Sequence, residues 1–337
     1  MSRPPVTDTR LDVLAIGNAI VDVIAAADDA FLAREGLDKG SMRLIDAAEA
    51  TRLYDHMGPA REISGGSAGN TAAGVAMLGG RAGFVGQVAD DQLGEVYAHD
   101  IRSTGVEFTT PPRPRAEAPT ARSLVLVTPD AQRTMNTFLG AAQNLTAAAL
   151  DEAQIRDAAI LYLEGYLWDP EEPRWAMIKA IDVARGAGRR VAFTLSDSFC
   201  ISRHRQGFLE LIDGGRIDIL FANEEEIKGL SGEEDFEAAV AAIQGKVPIL
   251  VVTRSEKGAI ALRAGERAEV PAEPVDAVVD TTGAGDLFAA GFLAGQAQGR
   301  SLEQSLRMGA IAAAEVISHY GARPEADLKA LVAERLG

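Results

Sequence analysis

The sequence predicts an α/β protein in which a mostly parallel sheet is covered by helices on both faces, with a smaller β excursion beside it. Three observations carry that class. Short β-branched apolar runs alternate with amphipathic stretches along the chain. Two segments break this rhythm with shorter, more polar strands. The 337 residues are 47% hydrophobic and 24% charged, which is enough to bury a sizeable core in one large or two ordinary domains.

In order, the apolar runs are LDVLAIG at 11–17, AGFVGQV at 82–88, AAILYLEG at 158–165, RRVAFTLS at 189–196, IDILFAN at 217–223 and VPILVVT at 247–253. Between them lie helical patterns such as DDQLGEVYAHDIRSTG, PEEPRWAMIKAIDVARGAG and EEDFEAAVAAIQG, several closing on a glycine that stops a helix. The excursions, 20–63 and 106–140, hold VDVIAAA, SMRLID, ARSLVLVT and RTMNTFL, with PPRPR at 111–115 as a rigid loop. They either pair with each other as a small β lid or form hairpins on the domain edge, and the pattern alone does not separate the two. No repeat of fixed period runs through the chain.

Thirty-three Lys and Arg against 49 Asp and Glu leave a net charge of −16, a field that repels phosphate backbones and anionic lipid. Neither nucleic acid nor a membrane surface is expected as a partner. An anionic substrate then needs a local positive site. Cys200 is the single cysteine, which excludes an intrachain disulfide framework and a multi-cysteine zinc site. No apolar core of a leader follows MSRPPVTDTR, and no apolar run reaches 18 residues, so a cytoplasmic location is expected.

Two glycine-rich segments stand out. Residues 65–86, GGSAGNTAAGVAMLGGRAGFVG, hold eight glycines in 22 positions, against about two expected from 34 in the whole chain. Gly65-Gly66-Ser67-Ala68-Gly69 also matches the nucleophile elbow of α/β-hydrolases. That reading fails on context. Arg61-Glu62-Ile63-Ser64 is a poor buried strand, and His56, His99, His204 and His319 all sit in surface-like surroundings. The second segment is Asp280-Thr281-Thr282-Gly283-Ala284-Gly285-Asp286, followed by the small-residue helix LFAAGFLAGQAQG. Backbone amides at such a helix start converge on an anion, and the macrodipole adds roughly half a positive charge there. This is the local positive site. It is not a Walker A loop, which would need Gly-Lys-Ser/Thr, nor a dinucleotide fingerprint, since Phe288 takes the third glycine position. Asp286 is either a base that takes a proton from an attacking hydroxyl or an ordinary acidic residue of a first helical turn, and physics alone leaves both open.

GGSAGN at 65–70 and DTTGAGD at 280–286, about 215 residues apart, resemble the two signature segments of the ribokinase-like, phosphofructokinase-B type carbohydrate kinase family. Asn223-Glu224-Glu225-Glu226 resembles its Asn-x-x-Glu motif. The resemblance implies a three-layer α/β/α domain made of 1–17, 64–105 and 141–337, and a small β lid made of 18–63 and 106–140 over an acceptor site. It implies that Asp286 is the general base and that Gly283, Ala284 and Gly285 form the anion hole. Asn223 and Glu226 would place Mg2+ through water and help hold ATP, with Thr253 and Gly258 in the nucleotide loop. Ser255 stands where many members place a glycine. Some relatives use a monovalent cation such as K+, here near Asp280, which otherwise shapes the turn.

Gly17-Asn18-Ala19-Ile20-Val21-Asp22, TLSDSF at 194–199 and Arg133 ahead of TMNTFLGAA are similar to the adenosine kinase branch. That likeness implies that Asn18, Asp22 and Asn70, around the Gly65-Gly66 turn, hold sugar hydroxyls, and that Arg133 neutralises charge on the transferring phosphoryl group. Phe199 would stack on a base, with Ile20, Leu44 and Leu139 as an apolar wall, though each is equally an ordinary core or hinge residue. A nucleotide sensor without catalysis would have no use for Asp286. The expectation is an ATP- and Mg2+-dependent kinase of a primary nucleoside hydroxyl, adenosine to AMP, with a sugar or sugar-acid kinase as the alternative. Its partners are ATP and a small-molecule acceptor, and it works as a monomer or homodimer.

Overall fold

The computed structural model describes residues 9–130 and 132–336; the first eight residues, assigned above to the large domain, lie outside that range. In chain order the strands are β1 (Leu11–Ile16), β2 (Ile20–Ala26), β3 (Met42–Leu44), β4 (Ala60–Gly65), β5 (Ala82–Val85), β6 (Glu107–Phe108) and β7 (Ala121–Val127). They continue with β8 (Arg133–Phe138), β9 (Ala158–Glu164), β10 (Arg190–Thr194), β11 (Ile219–Asn223), β12 (Ile249–Thr253), β13 (Ala259–Arg263) and β14 (Glu266–Val270). The helices are α1 (Asp29–Glu35), α2 (Ala47–His56), α3 (Ser67–Met77), α4 (Gln92–Ser103), α5 (Glu152–Arg156) and α6 (Glu171–Gly186). After them come α7 (Ser198–Asp213), α8 (Glu224–Ser231), α9 (Phe236–Gln244), α10 (Ala284–Ala297), α11 (Leu302–Val316) and α12 (Leu328–Leu336).

Nine strands form one sheet in the order β14-β13-β12-β11-β10-β9-β1-β5-β6. From β6 to β12 the pairs are parallel, and only β13 and β14 fold back antiparallel. Both faces of the parallel strands β1, β5 and β9 to β12 are buried, which is why they read as unbroken apolar runs. Along β1, Val13 and Ala15 pack with α3, α10 and α11, whereas Leu14 and Ile16 pack with α5 to α9 on the other side. Each fully buried Val, Leu or Ile contributes on the order of 1.5–3 kcal/mol.

The other five strands form a second sheet, β3-β8-β7-β2-β4. One face is closed by α1 and α2, where Val21, Val23, Leu124 and Leu126 meet Phe31, Leu32 and Leu53. The opposite face carries Asp22, Ser123, Thr137 and Leu44 in one cross-strand row. Pairing therefore joins the two excursions to each other rather than leaving them as separate hairpins.

Residues 61–64 lie in edge strand β4, with Ala60 and Arg61 exposed, in keeping with their poor fit to a buried strand. One sequence expectation needs correction. Glu107–Phe108, taken above as part of the lid, pairs with β5 at the edge of the large sheet, where Phe108 packs against Phe84 and Tyr97. The chain enters the small sheet again only at Ala121. Among the described residues no helix is long and apolar enough to cross a membrane.

Candidate active site

Strand order reverses at β1, which lies between β5 and β9, and in open α/β sheets the crevice beyond the carboxyl ends at such a reversal is where ligands bind. Gly17 and Asn18 follow β1, Glu164 ends β9, Asn223 ends β11 and Thr253 ends β12, so all of them reach this edge. Two helix starts point there as well. Gly74 on α3 leaves no room for a Cβ beside Ala290 and Leu287, and Gly291 on α10 leaves none beside the Met308 backbone. These small residues draw α3, α10 and α11 together and set the starts of α3 and α10 side by side.

Most helices here begin with a side-chain cap from Asp or Ser. The starts of α3 and α10 have none; their N-caps are Gly66 and Gly283, at φ 85° and 81°. Only glycine takes such a backbone cheaply. A Cβ on Gly283 would lie 2.7 Å from that of Ala322, whereas one on Gly285 would meet nothing within 4 Å. The first turn of α10 thus faces open space with its amides uncapped, as an anion hole requires.

Asp286 bridges the two helix starts. Its Oδ1 accepts from Ser67 Oγ at 2.6 Å and its Oδ2 from Asn70 Nδ2 at 2.9 Å. Burial pushes the Asp286 carboxyl above its ordinary range, while Ser67, Asn70 and the Arg323 charge pull it down. Asn70 is 5% exposed, and its Oδ1 is buried without a protein partner, an acceptor left free for a hydroxyl. Ser67 therefore orients a carboxylate rather than attacking as a nucleophile. The Ser67 hydroxyl donates to Asp286 and not to a histidine, so the hydrolase arrangement does not form.

On the acceptor side, the Asp22 carboxylate packs so closely on Gly65 that a Cβ there would collide with it, and one on Gly66 would strike the Asn18 carbonyl. The structure thereby gathers Asn18, Asp22, Gly65, Gly66, Asn70 and Asp286. Burial raises Asp22 to about 6 against the charges of Arg323 and Arg133, and Asp286 adds to the rise. Ile20 and Leu139 are half-buried, but Leu44 is 63% and Phe199 70% exposed. Among the described residues Phe199 packs against no other ring.

Arg133 reaches from β8 in the small sheet to the loop before α10. Its Nη2 lies 2.7 Å from Asp280 Oδ2, and Nη1 donates to Thr282 Oγ1 at 3.3 Å. Asp280 also accepts from Thr282 N, Thr282 Oγ1 and Gly321 N, so it shapes this turn from within.

On the nucleotide side, Thr253 leads into a tight turn in which Arg254 N donates to the Gly258 carbonyl at 2.8 Å. Gly258, at φ 88°, packs against the Val270 carbonyl. Ser255 sits at φ 50°, so the turn keeps a glycine-like conformation at a cost on the order of 1 kcal/mol. Asn223 and Glu226 form a complete capping box at the start of α8: Glu226 N donates to Asn223 Oδ1, while Asn223 N and Nδ2 donate to the two Glu226 oxygens. Burial lifts Glu226 to about 7, and Asp197 adds to the rise. Among the described residues no three His, Cys, Asp or Glu side chains cluster as metal ligands. This pair fits an outer contact to a hydrated divalent ion, not direct ligation.

Sequence reasoning missed Glu164. It is fully buried, its Oε1 accepts from Asn18 N and Nδ2 at 2.7 and 2.8 Å, and its Oε2 from Ala68 N at 2.7 Å. Burial raises it to about 7 despite those bonds. It ties the end of β1 to the start of α3, and the one available signal was an ionisable residue closing an apolar strand.

A family model described as pfkB family carbohydrate kinase matches residues 38–328. The chain belongs to this family. It is 30% identical to a fructokinase of Klebsiella pneumoniae, over 77% of this chain and 85% of that one. A probable sugar kinase protein from Rhizobium etli superposes with a TM-score of 0.89 at 48% identity, covering 97% of this chain and 99% of that one. An adenosine kinase from Sinorhizobium meliloti superposes with a TM-score of 0.88 at 50% identity, over 97% and 100%. The pfkB member described here is therefore a ribokinase-like kinase of a hydroxyl acceptor, using ATP with a divalent metal. Carbohydrate and nucleoside kinases both stand among its relatives.

Proposed function

We propose that the enzyme transfers the γ-phosphoryl group of ATP to the primary hydroxyl of a nucleoside, with adenosine giving AMP. The observation that carries the acceptor is the open face of the small sheet. Asp22, Ser123 and Thr137 form a polar row, and Ile20, Met42, Met135 and Leu44 surround it with uncovered apolar surface. A ribose diol beside a flat base has that same division, and Phe199, exposed at the start of α7, would add an aromatic surface. The likeness to the Sinorhizobium meliloti adenosine kinase supports this reading. The fructokinase and probable sugar kinase relatives favour a sugar or sugar acid instead.

Asp286 takes the proton of the acceptor hydroxyl as its oxygen attacks the γ-phosphorus and the bond to ADP breaks. A carboxyl raised by burial accepts that proton more readily than an exposed one. The open first turn of α10 stabilises charge on the phosphoryl oxygens, and Arg133 stands ready to share it. Asn70 Oδ1 and Asp22 orient the acceptor. The small sheet, as a lid, excludes water that would otherwise compete for ATP. Asn223 and Glu226 would hold hydrated Mg2+, which screens the phosphates when bound. A monovalent cation such as K+ would have to share Asp280 with Arg133. Gly258 and Thr253 shape the ATP loop. Neither nucleic acid nor membrane enters this scheme, and it runs equally in a monomer or a homodimer.

The test is an ADP-release assay across nucleosides and sugars. Adenosine should be the fastest acceptor, and Phe199→Ala should lower its kcat/KM several-fold, about 1 kcal/mol, while leaving a free pentose unaffected. Faster turnover of ribose, fructose or a keto-sugar acid would discard the nucleoside and leave the sugar reading.

A further inference from the structure

Arg323 belongs to the segment between α11 and α12, far in sequence from every motif, yet its side chain runs under the acceptor turn. Nη2 donates to the Ser64 carbonyl at 2.7 Å and to Ser64 Oγ at 2.9 Å, and Nη1 donates to the Gly69 carbonyl at 3.2 Å. Ser64 precedes Gly65-Gly66 at the end of β4, and Gly69 lies in the first turn of α3, so one planar fork spans the turn from both sides. Ser64 is held from the far side too, its N and Oγ donating to Asp100 Oδ2 at 2.7 and 2.6 Å.

We infer that Arg323 is a positioning residue for phosphoryl transfer: its guanidinium locks the Gly65-Gly66 turn between the lid strand and the helix that carries Ser67 and Asn70, the two hydrogen-bond partners of Asp286. Three carboxyls, Asp22, Glu164 and Asp286, share this buried space, and Tyr162 and Tyr166 also feel the Asp286 charge. Asp22 feels both Arg133 and Arg323, but the cation that acts on Asp286 is Arg323. Without it, burial drives Asp286 further toward its neutral form, which is no base.

The inference rests on Asp286 as base and not on the identity of the acceptor, so the experiment uses whichever acceptor the wild-type enzyme phosphorylates fastest. Three folded variants, checked by thermal melting, separate charge from scaffold. Arg323→Gln should raise the acceptor KM several-fold and lower kcat roughly tenfold at neutral pH, with the acidic limb of the kcat/KM profile moving upward. Arg323→Lys should restore the limb while raising the acceptor KM several-fold, because one ammonium cannot span Ser64 and Gly69. Ser64→Ala should raise KM without moving the limb. An acceptor KM unchanged in all three variants overturns the inference. If the Gln variant does not fold, the decision falls to Lys and Ser64→Ala, where an unchanged acceptor KM in both overturns it. A wrong assignment of the base shows separately, as Asp286→Asn retaining activity.

Discussion

The starts of α8 and α10 both lie at the carboxyl edge of the large sheet and both carry a carboxylate in their first turn, but they are built in opposite ways. At α8 the capping box of Asn223 and Glu226 satisfies the helix from within. At α10 a left-handed Gly283 takes the cap position, no side chain caps the amides, and Asp286 turns away to Ser67 and Asn70. A helix start that meets its own hydrogen-bond needs has little left for a ligand, whereas an uncapped one facing open space retains its full pull on an anion. The start of α3 is of the second kind, and the two open starts meet at Asp286. On that difference rests the proposal that the chemistry sits at α10 and that α8 has a supporting part.

The largest expected effect breaks the α10 side. Asp286→Asn should lower kcat by roughly 10²–10⁴-fold with acceptor affinity little changed, because the amide keeps the shape but cannot take the proton. More than a third of the wild-type kcat would end the base assignment. Next comes Gly285→Ala. A Cβ there meets nothing in the protein, so the variant should melt no lower than wild type, yet it should lose about tenfold in kcat/KM, because the methyl group intrudes where phosphoryl oxygens sit. Full activity would mean that this turn is not the anion hole.

On the α8 side, Glu226→Gln should raise the magnesium concentration for half-maximal rate several-fold, as the hydrated ion loses an acceptor charge. A lower melting temperature with an unchanged magnesium titration would reduce the pair to a structural cap. The smallest effect concerns stability. Glu164 and Glu226 are raised from 4.5 to about 7, and Asp22 from 3.8 to about 6. Between the unfolded and folded values these groups hold protons in the native state that the unfolded chain has released, so stability falls as pH rises through that window. The ligand-free protein should melt on the order of a few degrees lower at pH 8 than at pH 5. A flat or rising melting temperature would show that these carboxyls are better solvated than their burial implies.

The sequence by itself determined what depends on neighbours along the chain. The parallel strands were legible because burial on both faces demands unbroken apolar runs, and GGSAGN and DTTGAGD because a turn into an open helix start needs glycines at fixed spacing. Asp286 was visible as a candidate for the same reason. Tertiary structure alone decided what depends on strand pairing and on contacts from far away. An edge strand such as β4 carries no apolar signal, and only pairing reveals that Glu107–Phe108 belongs to the large sheet while its neighbours in sequence do not. Glu164 and Arg323 carry no local pattern at all. Their importance arises because the fold desolvates them beside groups about 150 and 250 residues away, where a buried charge has to be paired or hydrogen-bonded to be tolerated.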